Sequence, residues 1–136
     1  LLSPLFLLVY NGCNSTSRDG GENSLESRVK TFWETRIAGE DIKAYEFEEY
    51  SKKGSMSLEQ YIRARNPALH YKTYKIKGVE ESGDNAIVKL DVGYNLSLPT
   101  RGQFDMTMEI TDRWVRLDGQ WYRQETKKKE KKSLAQ

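Results

Sequence analysis

Histidine and cysteine occur once each in the 136 residues, as His70 and Cys13. One cysteine excludes an internal disulfide framework. With a single histidine and a single cysteine no Cys/His metal site can be assembled, and the acidic residues lack calcium-loop spacing. Neither a glycine-rich phosphate loop nor a nucleophile elbow is present, so the sequence points to no cofactor. Charge of one sign is also missing. Against 20 acidic residues stand 22 basic ones, which leaves no general field for nucleic acid. The basic excess lies mostly at the end, in Lys127-Lys128-Lys129-Glu130-Lys131-Lys132, and residues 127–136 read as a solvated, disordered tail, with a weak anionic-surface contact as the alternative. Long hydrophobic runs are absent too: Leu1 to Tyr10, broken by Ser3 and Pro4, is too short to span a bilayer.

What is present is a period of two. Ala86, Val88, Leu90, Val92, Tyr94, Leu96 and Leu98 are apolar, with polar or small residues between them, and Phe104, Met106, Met108 and Ile110 resume the alternation. That is the pattern of strands with one buried face. Folding the runs back about Arg101 pairs Leu98 with Phe104, Leu96 with Met106, Tyr94 with Met108 and Val92 with Ile110. Asp118-Gly119 predicts a second hairpin through a type I′ turn, which sets Val115 opposite Tyr122 and Arg116 opposite Trp121. A strand from Tyr71, with Tyr74 and Ile76 inward, joins through Gly83-Asp84-Asn85, placing Ile76 opposite Val92 and Tyr74 opposite Tyr94. Gly78-Val79 interrupts its alternation and predicts a bulge.

The first half reads as helices. Ser24 caps a helix that carries Leu25, Val29, Phe32, Trp33 and Ile37 on one face and closes at Gly39. A second starts at Asp41, with Ile42, Tyr45 and Phe47 on its apolar side, before a loop over Ser51–Ser55. Ser57 and Gln60 form a capping box for a third, whose inner face is Leu58, Tyr61 and Ile62 and which stops at Asn66-Pro67. About three helices followed by four antiparallel strands mean an α+β fold.

The start of the chain suits the apolar part of a truncated signal peptide, and Gly12-Cys13 resembles a lipobox, in which Cys13 would carry lipid. Residues 1–13 are read so, and 14–23 as a flexible polar tether, with the folded domain over 24–126. The expected location is the periplasmic side of a bacterial cell envelope, attached to membrane through the lipid alone. Plain secretion is the alternative, an artefact or a buried strand a third.

Phe32-Trp33, Gly39-Glu40-Asp41 and Ala44-Tyr45, together with the closing Trp114-Val115-Arg116-Leu117-Asp118-Gly119-Gln120-Trp121-Tyr122, resemble the nuclear-transport-factor-2-like superfamily. The likeness covers about Ser24 to Gln124 and is in particular to its small bacterial secreted and lipoprotein members. It implies a cystatin-like cone, with the helices packed on the concave face of a bent four-stranded sheet and a pocket between them. It also implies a small hydrophobic or aromatic ligand, and a homodimer through the sheet as one option. The superfamily's enzymes have carboxylate and His-Asp constellations that find no residue-by-residue match here.

The aromatic and sulfur-bearing residues expected at the helix–sheet interface are Trp33, Tyr45, Tyr61, Tyr74, Tyr94, Met106, Met108 and Trp114, as core or as pocket lining. Asp112 continues the inward row of β-parity, where a desolvated carboxylate would suit a general base. A bulge near Thr111 would instead send it to solvent or to an arginine. His70 belongs at a rim, as a surface residue or as a partner in acid–base chemistry. The leading expectation is a non-catalytic, membrane-tethered accessory domain that binds a small ligand or an envelope protein. Its rivals are an isomerase- or dehydratase-type enzyme using Asp112 with His70 or Tyr94, and a purely structural dimerising module.

Overall fold

Among the described residues, four helices precede a four-stranded antiparallel sheet of order β1-β2-β3-β4, a mixed α+β arrangement. The computed structural model describes residue 21 and residues 23–126. The signal-like run, Cys13, all but two residues of the expected tether and the basic tail over 127–136 lie outside the described residues. The elements are α1 (Leu25–Ala38), α2 (Asp41–Phe47), α3 (Glu49–Lys53), α4 (Leu58–Arg63), β1 (Leu69–Ser82), β2 (Asn85–Leu98), β3 (Gly102–Leu117) and β4 (Gln120–Arg123).

The helix ends follow local chemistry. The Ser24 hydroxyl accepts the Ser27 N–H at 3.2 Å, and Gly39 closes α1 with φ 73°. Ser57 and Gln60 make the reciprocal capping box of α4. Where three helices were expected the described residues form four, because Glu49–Lys53 is helical and the loop starts only after it. Nothing in Glu46-Phe47-Glu48-Glu49-Tyr50 forbids one continuous helix. The break is Glu48, extended at φ −81° and ψ 141°, which forms a parallel backbone bridge with Arg123.

The strands pair with the expected parity but a shifted register. Leu96 faces Phe104, Tyr94 faces Met106, Val92 faces Met108 and Leu90 faces Ile110. The hairpin therefore pivots one residue earlier than Arg101, with Leu98 opposite Gly102, whose φ of 83° closes a three-residue loop. Likewise Tyr74 faces Val92 and Ile76 faces Leu90, a two-residue slip from expectation. Such a slip leaves every side chain on its own face, so periodicity cannot detect it. The irregularity sought at Gly78-Val79 falls between Ile76 and Gly78, and a second lies between Tyr71 and Thr73. The closing hairpin pairs Val115 with Tyr122 and Arg116 with Trp121, and Asp118 and Gly119 have φ values of 50° and 77°.

Leu25, Val29, Phe32 and Trp33 of α1 share a core with Ala44, Val88, Leu90, Val92, Trp114 and Trp121. Phe32 meets Trp33 and Trp114 edge-on, with centroids 5.5 and 5.9 Å apart. Arg28 ties α1 to β4 by donating from Nε to the Trp121 carbonyl at 2.9 Å, its guanidinium 4.2 Å from the Phe47 ring centre. Burial holds its pKa below the usual arginine value.

Length decides where this core stops. At about 1.5 Å per helical residue and 3.3 Å per strand residue, the 14 residues of α1 reach ~21 Å and the 16 of β3 ~50 Å. The far half of the β2–β3 hairpin outruns the helix, and Phe104 and Met106 on its apolar face are 43% and 49% exposed. Ile42 and Ile62, expected on inner helix faces, are exposed as well. Helices of seven and six residues offer only a turn or two of buried stripe, and in α2 Ala44 takes that place.

Candidate functional site

β3 runs beside β2 without a register shift, so Asp112, opposite Val88, stays on the face that carries Ile110 and Trp114. The bulge that would have turned it outward does not occur. Its side chain is buried and fully engaged: Trp33 Nε1 donates to Oδ2 at 2.9 Å and Arg123 Nε donates to Oδ1 at 3.0 Å. Arg123 sits on β4 opposite Trp114 and spends a second nitrogen, Nη1, on Glu48 Oε1 at 2.9 Å. Glu48 reaches it because the extended link between α2 and α3 pairs with β4. The Tyr61 hydroxyl donates to the same Oε1 at 3.4 Å and accepts from Arg36 Nη1 at 3.2 Å. A continuous chain, Arg36–Tyr61–Glu48–Arg123–Asp112–Trp33, thus links α1, α4 and the α2–α3 junction to the last two strands.

Two buried carboxylates face one guanidinium, so the electrostatics are close-run. Burial would lower the Arg123 pKa, but Glu48 and Asp112 outweigh it and hold the group above the usual arginine range. Desolvation pushes the Glu48 pKa up, and the opposing pull of Arg123 does not restore it. Burial, and then the Glu48 charge, raises Tyr61 well above an ordinary phenol. Among the described residues, Glu48 Oε2 has no hydrogen-bond partner, and the side chain is 1% exposed.

A glutamate whose folded pKa exceeds its unfolded one binds protons more readily when folded. Its stabilising contribution is complete below the unfolded pKa and is lost as pH rises through the raised folded value. Glu48→Gln should flatten the fall in stability just above the ordinary glutamate range, measured as urea midpoints at closely spaced pH values. An unchanged slope would mean that Glu48 is not the group titrating there.

A cavity flanks each end of the chain. The one beside Asp112 and Arg123 is about 360 Å³ and also touches Thr111, Gln124 and Thr126. The other, about 460 Å³, lies between the C-terminal end of α1, the end of α4 and the start of β1, with Arg36, Arg65, His70 and Tyr71 in its wall. A third, open trough of about 600 Å³ crosses β1 to β3 past Thr73, Tyr94 and Met106. Gly93 lies in it because a Cβ there would come within 2.3 Å of Thr73 Oγ1.

The residues singled out from sequence are distributed over these features. Trp33 and Trp114 are core, and Met108 is half-buried. Tyr45 stands against Tyr61, centroids 5.4 Å apart, and donates to the Met56 carbonyl at 2.5 Å. Tyr74 donates to Glu34 at 3.2 Å. His70 is exposed at the cavity of about 460 Å³ while Asp112 borders that of about 360 Å³, so the two line different cavities. Glu48, Arg123 and Arg36 were not anticipated. The parity of Trp121-x-Arg123 beside Asp112 was a usable signal for Arg123, whereas Glu48, inside an acidic helical run, offered none.

Chemically, each oxygen of Asp112 already accepts a hydrogen bond, and Arg123 is committed to the two buried carboxylates. Among the described residues no three His, Cys, Asp or Glu side chains are grouped so as to hold a metal ion. None of the described helices is long and apolar enough to cross a membrane.

No protein-family model and no curated protein matches the chain. The solution structure of a SEC-C motif containing protein from Rhodopseudomonas palustris aligns with a TM-score of 0.60 at 14% identity, over 85% of this chain and 88% of that one. A function unknown protein from Mycobacterium tuberculosis aligns at 0.41 and 16% identity, over 77% of this chain and 76% of that one, too weakly to bear on the site. The first likeness is one of fold alone.

Proposed function

We propose that the chain is a non-catalytic accessory domain of the nuclear-transport-factor-2-like kind, tethered through Cys13 to a bacterial envelope membrane on its periplasmic side. In this reading the helices cover the concave face of a bent, cone-forming sheet, and the domain binds a small ligand, or an envelope partner, in or around the pocket. One observation carries it: the inner carboxylate, Asp112, is held at both oxygens by Arg123 and Trp33 while a cavity of about 460 Å³ lies at the other end of the same polar chain. A cavity of this size suits a small molecule. The test is mass spectrometry of purified protein, native and then denatured. A stoichiometric small molecule released on denaturation is the expected result, and protein that purifies empty from its own cells would count against binding. For the tether, Cys13→Ser should move the protein from the membrane to the soluble periplasmic fraction.

The orphaned Glu48 Oε2 favours a second reading, a proton-transfer enzyme of the isomerase or dehydratase type with Glu48 rather than Asp112 as its base. Its weakness is access, since Glu48 is all but fully buried. Turnover abolished in Glu48→Gln, with folding and ligand affinity kept, would establish it.

A further inference from the structure

We propose that the cavity of about 460 Å³ binds an amphipathic monocarboxylate, its carboxylate taken by Arg36 and Arg65 and its apolar body laid against Ile37, Leu69 and Tyr71. This rests on the binding reading above and supplies its ligand class.

Arg36 is the central observation. The residue is half-buried, and its guanidinium lies 5.2 Å from the Tyr71 ring centre and 5.9 Å from that of Tyr61 and gives Nη1 to the Tyr61 hydroxyl. Among the described residues no carboxylate lies within ion-pair distance of it, whereas Arg123, the other arginine of the chain, holds two. A cation taken partly out of water and left with a neutral hydroxyl gains much from an anion brought to its free nitrogens. Arg65, in the same wall, pairs with Asp41 at 2.5 Å and keeps a third of its side chain exposed. A Cβ placed on Gly39 would lie 4.0 Å from its Nη2, so the backbone there leaves the guanidinium room.

The wall charge sets the valence of the ligand. Arg36 and Arg65 contribute two positive charges, and Asp41 cancels one. One net positive charge matches a monoanion and is a poor host for a doubly charged phosphate. The planar forks of two arginines suit a carboxylate, and the apolar remainder of the wall suits a short hydrocarbon or aryl body.

Octanoate, octanamide and inorganic phosphate are the probes, titrated into the full chain and followed by amide resonances. Octanoate should shift Gly39, Arg65, Asn66 and His70 saturably, and the uncharged octanamide should bind about tenfold or more weakly. Arg65→Gln should weaken octanoate by a similar factor, while Asp41→Asn, which removes the competing charge, should strengthen it. Equal binding of acid and amide overturns the carboxylate assignment, and so does phosphate that outcompetes octanoate. Shifts confined to Gln124 and Glu125 move the ligand to the other cavity, overturning the site while leaving the binding reading intact. No saturable shift with any probe overturns this proposal too, whereas the binding reading stands or falls on the co-purified molecule.

Discussion

Arg123→Met should cost about 3–5 kcal/mol, because it strips the common partner from two buried carboxylates. Glu48 is 1% exposed and Asp112 2%, so neither can recruit bulk water in place of the lost guanidinium. Methionine fills similar volume, so the loss is electrostatic rather than a cavity. Domains of this size are stable by roughly 5–15 kcal/mol in total, and the variant would be marginal. Two features mark the cause. Glu48 already has a raised folded pKa, and removing Arg123 raises it further, so the variant should regain stability as pH falls and the group takes a proton. Adding Glu48→Gln and Asp112→Asn to Arg123→Met should restore much of the loss, since a neutral trio leaves no uncompensated charge. Urea midpoints at neutral and acidic pH measure all of this. An unchanged neutral-pH midpoint for Arg123→Met would mean that the network adds nothing to the fold.

Trp114→Ala should be as damaging, at about 3–5 kcal/mol, with a less pH-dependent signature. Trp114 is completely buried, edge-on to Phe32, in the contact between α1 and the sheet. Truncation to alanine opens a void that neighbours on a rigid strand cannot collapse to fill. Trp114→Phe separates packing from polarity. The indole Nε1 is buried without a partner among the described residues, and phenylalanine removes that N–H along with some volume. Its cost should therefore stay below about 1.5 kcal/mol, in the range of conservative core swaps. Equal losses for Ala and Phe would indicate that the N–H is satisfied after all. An Ala variant that melts with the parent's midpoint and slope would put Trp114 outside the core.

Much of the fold was legible because its causes are local. Alternating polarity specified strands and their buried faces, Ser24 and Ser57 marked helix starts, and Asp118-Gly119 supplied the left-handed residues of a tight turn. Parity alone also placed Asp112 on the inner face. Two registers related by a two-residue slip satisfy that pattern equally well. Only the loop geometry at Gly102 and the irregularities beside Thr73 and Gly78 chose between them.

The site belongs to tertiary structure. Trp33 and Asp112 are 79 positions apart, and Glu48 and Arg123 are 75 apart. No local periodicity relates such residues, because what joins them is the closing of β4 against the α2–α3 junction. Helical propensity runs straight through Glu48, and a backbone bridge to Arg123 overrides it, turning a residue of an acidic surface run into a buried one. The same holds for Phe104 and Met106. Their alternation determined which face they share, but a helix less than half as long as the strands decided that this face stays uncovered at its far end.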